Sequence, residues 1–353
     1  MSRQRRTGRA LTGLAALVSC GLATPATAQP VAPTGLQPEV VFNAYSPLSS
    51  NAELARRRLS PLLTREIAAK LAHDGVVLAD QPVDLTQEKF VVYAPAAAPA
   101  RGYGLMVFVP PWPQAVAPKS WRPVLDQFGV IFVSAARSGN DVSGIGRREP
   151  LAILAEQNVV LRYNIDPDRI YVAGLSGGSR TAMRLALAYP DVFKGAILNA
   201  GSDPIGAPGV PAPPKDVLEA FQATTHLIYM TGSVDEAAQA ADEDSRRSMR
   251  SWCVFNFEVQ DVSGMGHDLA PPAALARALQ ALETPMRPDP AKLASCRASL
   301  ENELTAGLER VAALIASGKR GDARKGLADM DTRYGGLAAP RSIDLAERLG
   351  PAE

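Results

Sequence analysis

Ile170 to Met183, reading Ile-Tyr-Val-Ala-Gly-Leu-Ser-Gly-Gly-Ser-Arg-Thr-Ala-Met, constrains the fold of this chain more than any other stretch. Ile170 to Ala173 is a short apolar run rich in β-branched and aromatic residues, which predicts a buried strand. From Ser179 to Tyr189, the apolar residues Met183, Leu185, Leu187 and Tyr189 mix with Ala and Arg, which predicts a helix packed on a sheet. Between them Gly174-Leu175-Ser176-Gly177-Gly178 is a G-x-S-x-G in a strand–turn–helix context. A serine on such a strained turn projects its hydroxyl out of the sheet, and side chains at the flanking positions would collide with backbone. The following helix aims its N-terminal N–H groups at negative charge that develops during acyl transfer.

The rest of the chain supplies the sheet this turn requires. Phe90 to Tyr93, Leu105 to Val109, Val130 to Val133, Ala196 to Leu198, Leu227 to Met230 and Phe255 to Val259 are further strand-like runs. Leu151 to Tyr163 is amphipathic and helical, with Pro150 near its start. Strands alternating with helices predict an α/β fold, a mostly parallel sheet with helices on both faces, over residues 75–284. Gly206 to Lys215, rich in Pro and Gly, is expected to be a surface loop above the strand ends, bordering the substrate site.

Flanking segments differ in pattern. Met1 to Ala28 reads as a signal peptide, with Arg3, Arg5, Arg6 and Arg9 before an apolar core and Ala26-Thr27-Ala28 as cleavage site. Its apolar stretch is too short and broken for a permanent membrane span. Leu17-Val18-Ser19-Cys20 also resembles a lipoprotein box, which would instead leave Cys20 as a lipid anchor. Arg5-Arg6 lacks the following apolar residues of a twin-arginine signal. The expected location is secreted or periplasmic.

Loss of those four arginines takes the formal charge from +1 to −3, and no basic patch stands out, so nucleic acid is not an expected partner. Residues 29–74 form an N-terminal extension. Gln29 to Pro38 is polar and expected to be disordered. Asn51 to His73 is helical, broken at Pro61, with Ser60 capping the second part and Gly75 ending it. Residues 285–290 read as a Pro-rich linker, and residues 291–353 as a C-terminal helical hairpin carrying Leu300, Leu304, Leu308, Val311 and Ile315 at helical spacing. Cys253 and Cys296, an even pair in an exported chain, are expected to form a disulfide tying the hairpin to the sheet, with neither cysteine deep in the core.

A serine hydroxyl needs a base, itself oriented by a carboxylate. The chain holds three histidines. His73 sits in a helical last turn and His226 starts an apolar strand, so both read as structural. His267 lies in Gly264-Met265-Gly266-His267-Asp268, a Gly-rich turn beyond a late strand, where it can reach the serine. Asp235 ends the turn after Leu227 to Met230, which gives the order Ser176, Asp235, His267. Asp203 is the rival acid, with Glu236 and Asp242 behind it. Of the two oxyanion donors, one falls to the backbone N–H of Gly177. The other falls to the loop Pro110-Pro111-Trp112-Pro113, where only Trp112 carries an N–H among these four residues. Trp112 and Trp121 fit either an aromatic or sugar pocket, or core and rim packing.

The run from Ile165 to Gly178 and the following Tyr189-Pro190-Asp191-Val192-Phe193 resemble secreted esterases of the polyhydroxybutyrate depolymerase and feruloyl esterase type. The resemblance covers roughly Phe90 to Leu282. It implies an α/β-hydrolase fold and hydrolysis of a small-molecule or polymeric carboxylic ester, without metal or cofactor. The Pro-rich loop at Trp112 departs from the His-Gly loop common in such enzymes, and neither flanking segment belongs to the pattern. An acyltransferase or peptidase would use the same residues, and a catalytically inactive envelope protein binding a ligand or partner is the alternative of another class.

Overall fold

The computed structural model describes residues 32–284 and 286–350. The readings for residues 1–28, including Cys20, lie outside them. Apolar, β-branched runs pair into one eight-stranded sheet: β1 (Gly35–Val40), β2 (Phe90–Ala94), β3 (Tyr103–Val109), β4 (Val130–Ala135), β5 (Ile165–Leu175), β6 (Gly195–Asn199), β7 (His226–Gly232) and β8 (Phe257–Val262). Their order is β1-β2-β4-β3-β5-β6-β7-β8. β2 is antiparallel to both of its neighbours, and every pair from β4 to β8 is parallel.

The helices are α1 (Asn51–Arg58), α2 (Pro61–His73), α3 (Arg122–Phe128), α4 (Glu149–Arg162), α5 (Gly177–Ala188), α6 (Lys215–Thr224), α7 (Glu236–Ser251), α8 (Pro272–Leu282), α9 (Pro290–Ala316), α10 (Arg320–Tyr334) and α11 (Arg341–Leu349). Alternation along the strands decides where they pack. Met106, Phe108, Tyr171, Ala173, Ile228 and Met230 share one core with Leu125 of α3 and Leu275 and Leu279 of α8. The intervening side chains face the other way, where α4 and α5 lie against β3 and β5.

Three elements differ from the sequence expectation. Residues 35–38, within the stretch expected to be disordered, fall in the edge strand β1, with Leu36 opposite Tyr93 and an irregularity between Gln37 and Val40. An edge strand bonds on one side only, which is why Pro38 is tolerated there. The C-terminal segment is longer than a hairpin: α9 already begins at Pro290, and α11 adds a third helix after α10. The loop after β6 is partly covered, with Val210 and Ala212 buried, because the backbone of Gly336 donates to the Ala212 carbonyl at 2.7 Å.

The flanking helices are fastened to the sheet and to each other. Ser60 caps α2, accepting from the Leu63 N–H, and its hydroxyl also bonds Asp331 of α10. Arg57 reaches Asp191 at 2.7 Å, and buried Arg58 reaches buried Glu149 of α4 at 2.7 Å. Cys253 and Cys296 are bonded, 43 residues apart with Cα atoms 5.7 Å from one another. Contrary to expectation, Cys253 is fully buried, since the chain turns inward after α7 at Trp252, whose ring packs on Tyr334 of α10.

Glu156 of α4 is buried, and its carboxyl is pushed up to about 7, first by burial and then by Asp191. A carboxyl raised on folding holds its proton better in the native state. Its contribution is therefore complete below about pH 4.5 and is lost as pH rises through about 7. Glu156→Gln should remove that dependence. Relative to wild type, the variant should gain stability between pH 5 and pH 8, by on the order of 1–3 kcal/mol. Urea midpoints at the two pH values check this, and an unchanged difference would show that Glu156 is not linked to folding.

Candidate active site

Ser176 follows β5 on a turn of φ 56° and ψ −121°, a conformation that L residues seldom adopt without surrounding restraint. The glycines around it have steric reasons. A Cβ on Gly174 would stand 2.3 Å from the Gly178 backbone, and one on Gly178 would stand 2.0 Å from the Val109 carbonyl oxygen. β3, β5 and α5 therefore approach one another more closely than any side chain would allow.

Two further loops meet beside this turn at the carboxyl end of the sheet. After β7, Ser233 N–H donates to Val262 O at 2.9 Å and Val234 N–H to Met265 O at 3.2 Å; after β8, Gly264 N–H donates to Ser233 Oγ at 2.9 Å. This lacing brings Asp235 to His267, with Oδ2 2.6 Å from Nδ1. The other carboxylate oxygen, Oδ1, accepts from Ala238 N–H at 3.2 Å and caps α7. Asp235 is thus fixed at both oxygens and 9% exposed, while the imidazole side chain is half exposed.

Asn199, at the end of β6, brackets the serine turn to the histidine loop. Its carbonyl accepts from Ser176 N–H at 2.8 Å. Its side chain accepts from Ala270 N–H at 2.8 Å and donates to Asp268 O at 3.2 Å. Trp121 supports the same loop from below, donating from Nε1 to Ala270 O at 2.8 Å. Being 1% exposed, Trp121 belongs to the core.

The first oxyanion donor expected from the sequence, Gly177 N–H, lies at the start of α5. Trp112 follows β3, half buried against Phe108. Asn140 N–H donates to Pro111 O at 3.0 Å. In a planar trans peptide the next N–H, that of Trp112, points the opposite way. The Asn140 side chain lies against Gly177, where a Cβ would meet its Oδ1 at 2.2 Å.

Beneath these loops lies Arg148, buried at 6% exposure. Its guanidinium donates to Pro110 O at 2.9 Å, Ser138 O at 3.0 Å and Gly177 O at 3.2 Å, which ties the segments after β3 and β4 to the start of α5. Burial, and then repulsion from Arg184, lower its pKa to about 10, which leaves it charged at neutral pH. Sequence reasoning missed Arg148, Asn199 and Asn140, because no motif marks residues that act by holding backbone.

The remaining candidates lie elsewhere. Asp203 pairs with Arg184 at 2.5 Å and Arg180 at 3.3 Å. Asp242 is buried on Thr231, and its carboxyl is raised to about 6, mainly by burial. Glu236 opens α7. His73 is exposed at the end of α2. His226 stands 3.4 Å from Glu258, yet burial outweighs that contact and lowers its pKa, so it is a neutral core imidazole. Among the described residues no His, Cys, Asp and Glu group is arranged to hold a metal ion, and no helix is long and apolar enough to cross a membrane.

A mostly parallel sheet in this order, with the serine turn after β5, defines the α/β-hydrolase fold. No family model matches the chain. It is 32% identical over 99 residues to a poly(3-hydroxybutyrate) depolymerase of Ralstonia pickettii, covering 24% of this chain and 20% of that protein. It is 44% identical over 57 residues to poly(3-hydroxyalkanoate) depolymerase C of Paucimonas lemoignei, covering 16% of this chain and 14% of that protein. The matches thus span a fifth or less of these relatives' lengths, and over those stretches the resemblance to depolymerases holds. Among solved structures, a poly(3-hydroxybutyrate) depolymerase from Bordetella parapertussis aligns over 59% of this chain and 88% of its own, at 18% identity and a TM-score of 0.42.

Proposed function

We propose that the chain is an exported serine esterase that hydrolyses a carboxylic ester through an acyl-enzyme. Ser176 attacks the acyl carbon while His267 takes its proton. His267 then returns that proton to the leaving alcohol, and a water activated by the same imidazole releases the acid. Asp235 holds the imidazole with Nδ1 protonated, which leaves Nε2 free as the base. Gly177 and Trp112 N–H stabilise the tetrahedral oxyanion, a contribution of about 3 to 4 kcal/mol per donor. The observation that carries this reading is the 2.6 Å contact between Asp235 and His267 on a loop that Asn199 brackets to the serine turn.

The depolymerase names of the relatives favour short aliphatic hydroxyacid esters as substrate class, small or polymeric. A panel of p-nitrophenyl butyrate, a feruloyl ester and a polyhydroxybutyrate film tests the activity. Release of p-nitrophenol well above background is expected. No turnover of any ester in the panel would contradict the reading.

Arg148 acts in this reading as a positioning residue. Lys at this place keeps the charge but lacks the planar fork that reaches three carbonyls. Arg148→Lys should lower kcat about 10- to 100-fold with KM nearly unchanged, because a loosened hole weakens transition-state contacts and leaves ground-state binding alone. A fall in thermal stability without any kcat effect would reduce Arg148 to scaffold.

A further inference from the structure

The segment after β4 docks onto the loop after β3, beside the nucleophile. Arg137 N–H donates to Pro113 O at 2.6 Å, and Asn140 N–H to Pro111 O at 3.0 Å. Gly139 permits the approach, since a Cβ there would stand 2.9 Å from the Trp112 carbonyl carbon. Docked in this way, Asn140 carries its carboxamide to Gly177, the residue directly after Ser176. The three atoms nearest to where a Gly177 Cβ would stand all belong to that carboxamide: Oδ1 at 2.2 Å, Cγ at 2.7 Å and Nδ2 at 3.0 Å.

Asn140 is solvent-exposed, and among the described residues its carboxamide has no hydrogen-bond partner. The side chain therefore holds no other part of the protein in place, yet its Nδ2 lies within reach of the oxyanion. A Cβ stands about 2.5 Å from its own backbone nitrogen, which puts Nδ2 at most about 5.5 Å from the Gly177 nitrogen. Two N–H groups that share one acceptor at about 2.9 Å each can stand up to about 5.8 Å apart, and this pair meets that limit. Rotation about the bonds to Cβ and Cγ sets which carboxamide atom faces the site, and developing negative charge selects the N–H₂ over the carbonyl. The loop after β3 leaves room for such a donor, because Trp112 carries the single backbone N–H among Pro110 to Pro113.

We propose that Asn140 Nδ2 is a further oxyanion donor beside the Gly177 and Trp112 N–H groups, and that residue 177 lacks a side chain to leave room for it. The proposal rests on the esterase reading and adds no covalent step to it. The donor bonds the carbonyl oxygen as charge gathers there and loosens when the acyl-enzyme forms.

Kinetics on p-nitrophenyl butyrate test it. Asn140→Ala should lower kcat about 10- to 100-fold with KM within about twofold, because the contact strengthens only in the transition state. Asn140→Asp, which puts acceptors and a negative charge at the same place, should lose at least as much. Gly177→Ala drives a methyl group into the carboxamide and should cost as much as Asn140→Ala. Added to Asn140→Ala it should cost under about threefold, since nothing is left to displace. That non-additivity is a readout a scaffold role would not move. A second is the Ki of an aliphatic trifluoromethyl ketone, which forms a tetrahedral oxyanion on the serine and should weaken in step with kcat/KM. Thermal midpoints of the Asn140 variants should stay within a few degrees of wild type, because the carboxamide is exposed and unpartnered. A kcat for Asn140→Ala within twofold of wild type, or losses at 140 and 177 that simply add, would overturn the donor and leave the esterase reading standing. A raised KM with kcat unchanged would likewise overturn it and make Asn140 a ground-state substrate contact. Absence of turnover by wild type would instead strike the esterase reading itself, and the donor with it.

Discussion

Asp235→Asn is expected to lower kcat for ester hydrolysis by about four orders of magnitude, and Asp203→Asn by under about tenfold. The two carboxylates look alike in the sequence, since each follows a strand of the parallel run. Their surroundings separate them. Asp235 places one oxygen on Ala238 N–H at the start of α7 and the other 2.6 Å from His267. An asparagine there can present its amide N–H to Nδ1, which fixes the wrong tautomer and removes the counter-charge for the imidazolium. The Asp203 carboxylate pairs instead with Arg180 and Arg184, so its loss leaves the imidazole untouched. Michaelis–Menten kinetics on p-nitrophenyl butyrate decide the ranking. The reverse order would move the acid to the loop after β6.

Ser176→Ala should lower turnover at least about a thousandfold while leaving the fold intact. The strained backbone at φ 56° is held by Ser176 N–H on Asn199 O and by the glycines around it, and alanine keeps all of these. What remains is the stabilisation from the oxyanion donors and substrate positioning. Circular dichroism and a thermal midpoint within a few degrees of wild type would confirm that the loss is chemical. Turnover close to wild type would remove Ser176 from the mechanism.

Features set by local chemistry were legible in the sequence. The glycines at 174, 177 and 178 announce a turn that only their missing side chains permit, and Ser60-Pro61 announces a helix start by cap and by fixed φ. The strand-then-acid and strand-then-histidine spacing put Asp235 and His267 on adjacent loops, as the register of β7 with β8 does in the fold. Illegible were contacts fixed by distant backbone. β1 gave no signal because an edge strand with Pro38 lacks the apolar alternation of an inner one. Cys253 and Trp121 are buried by helices far away in the sequence. Arg148 and Asn199 bond to carbonyls and N–H groups that any residue type supplies, so no motif points to them.

The central claim is that Ser176 is an activated nucleophile. Labelling the folded protein with a fluorophosphonate, followed by intact mass and peptide mapping, tests it directly, because an unactivated serine hydroxyl reacts negligibly with such a reagent. The expected result is one adduct, on the peptide containing Ser176, that is absent from Ser176→Ala and strongly reduced in Asp235→Asn. No adduct on wild type, or an adduct that persists in Ser176→Ala, would contradict it.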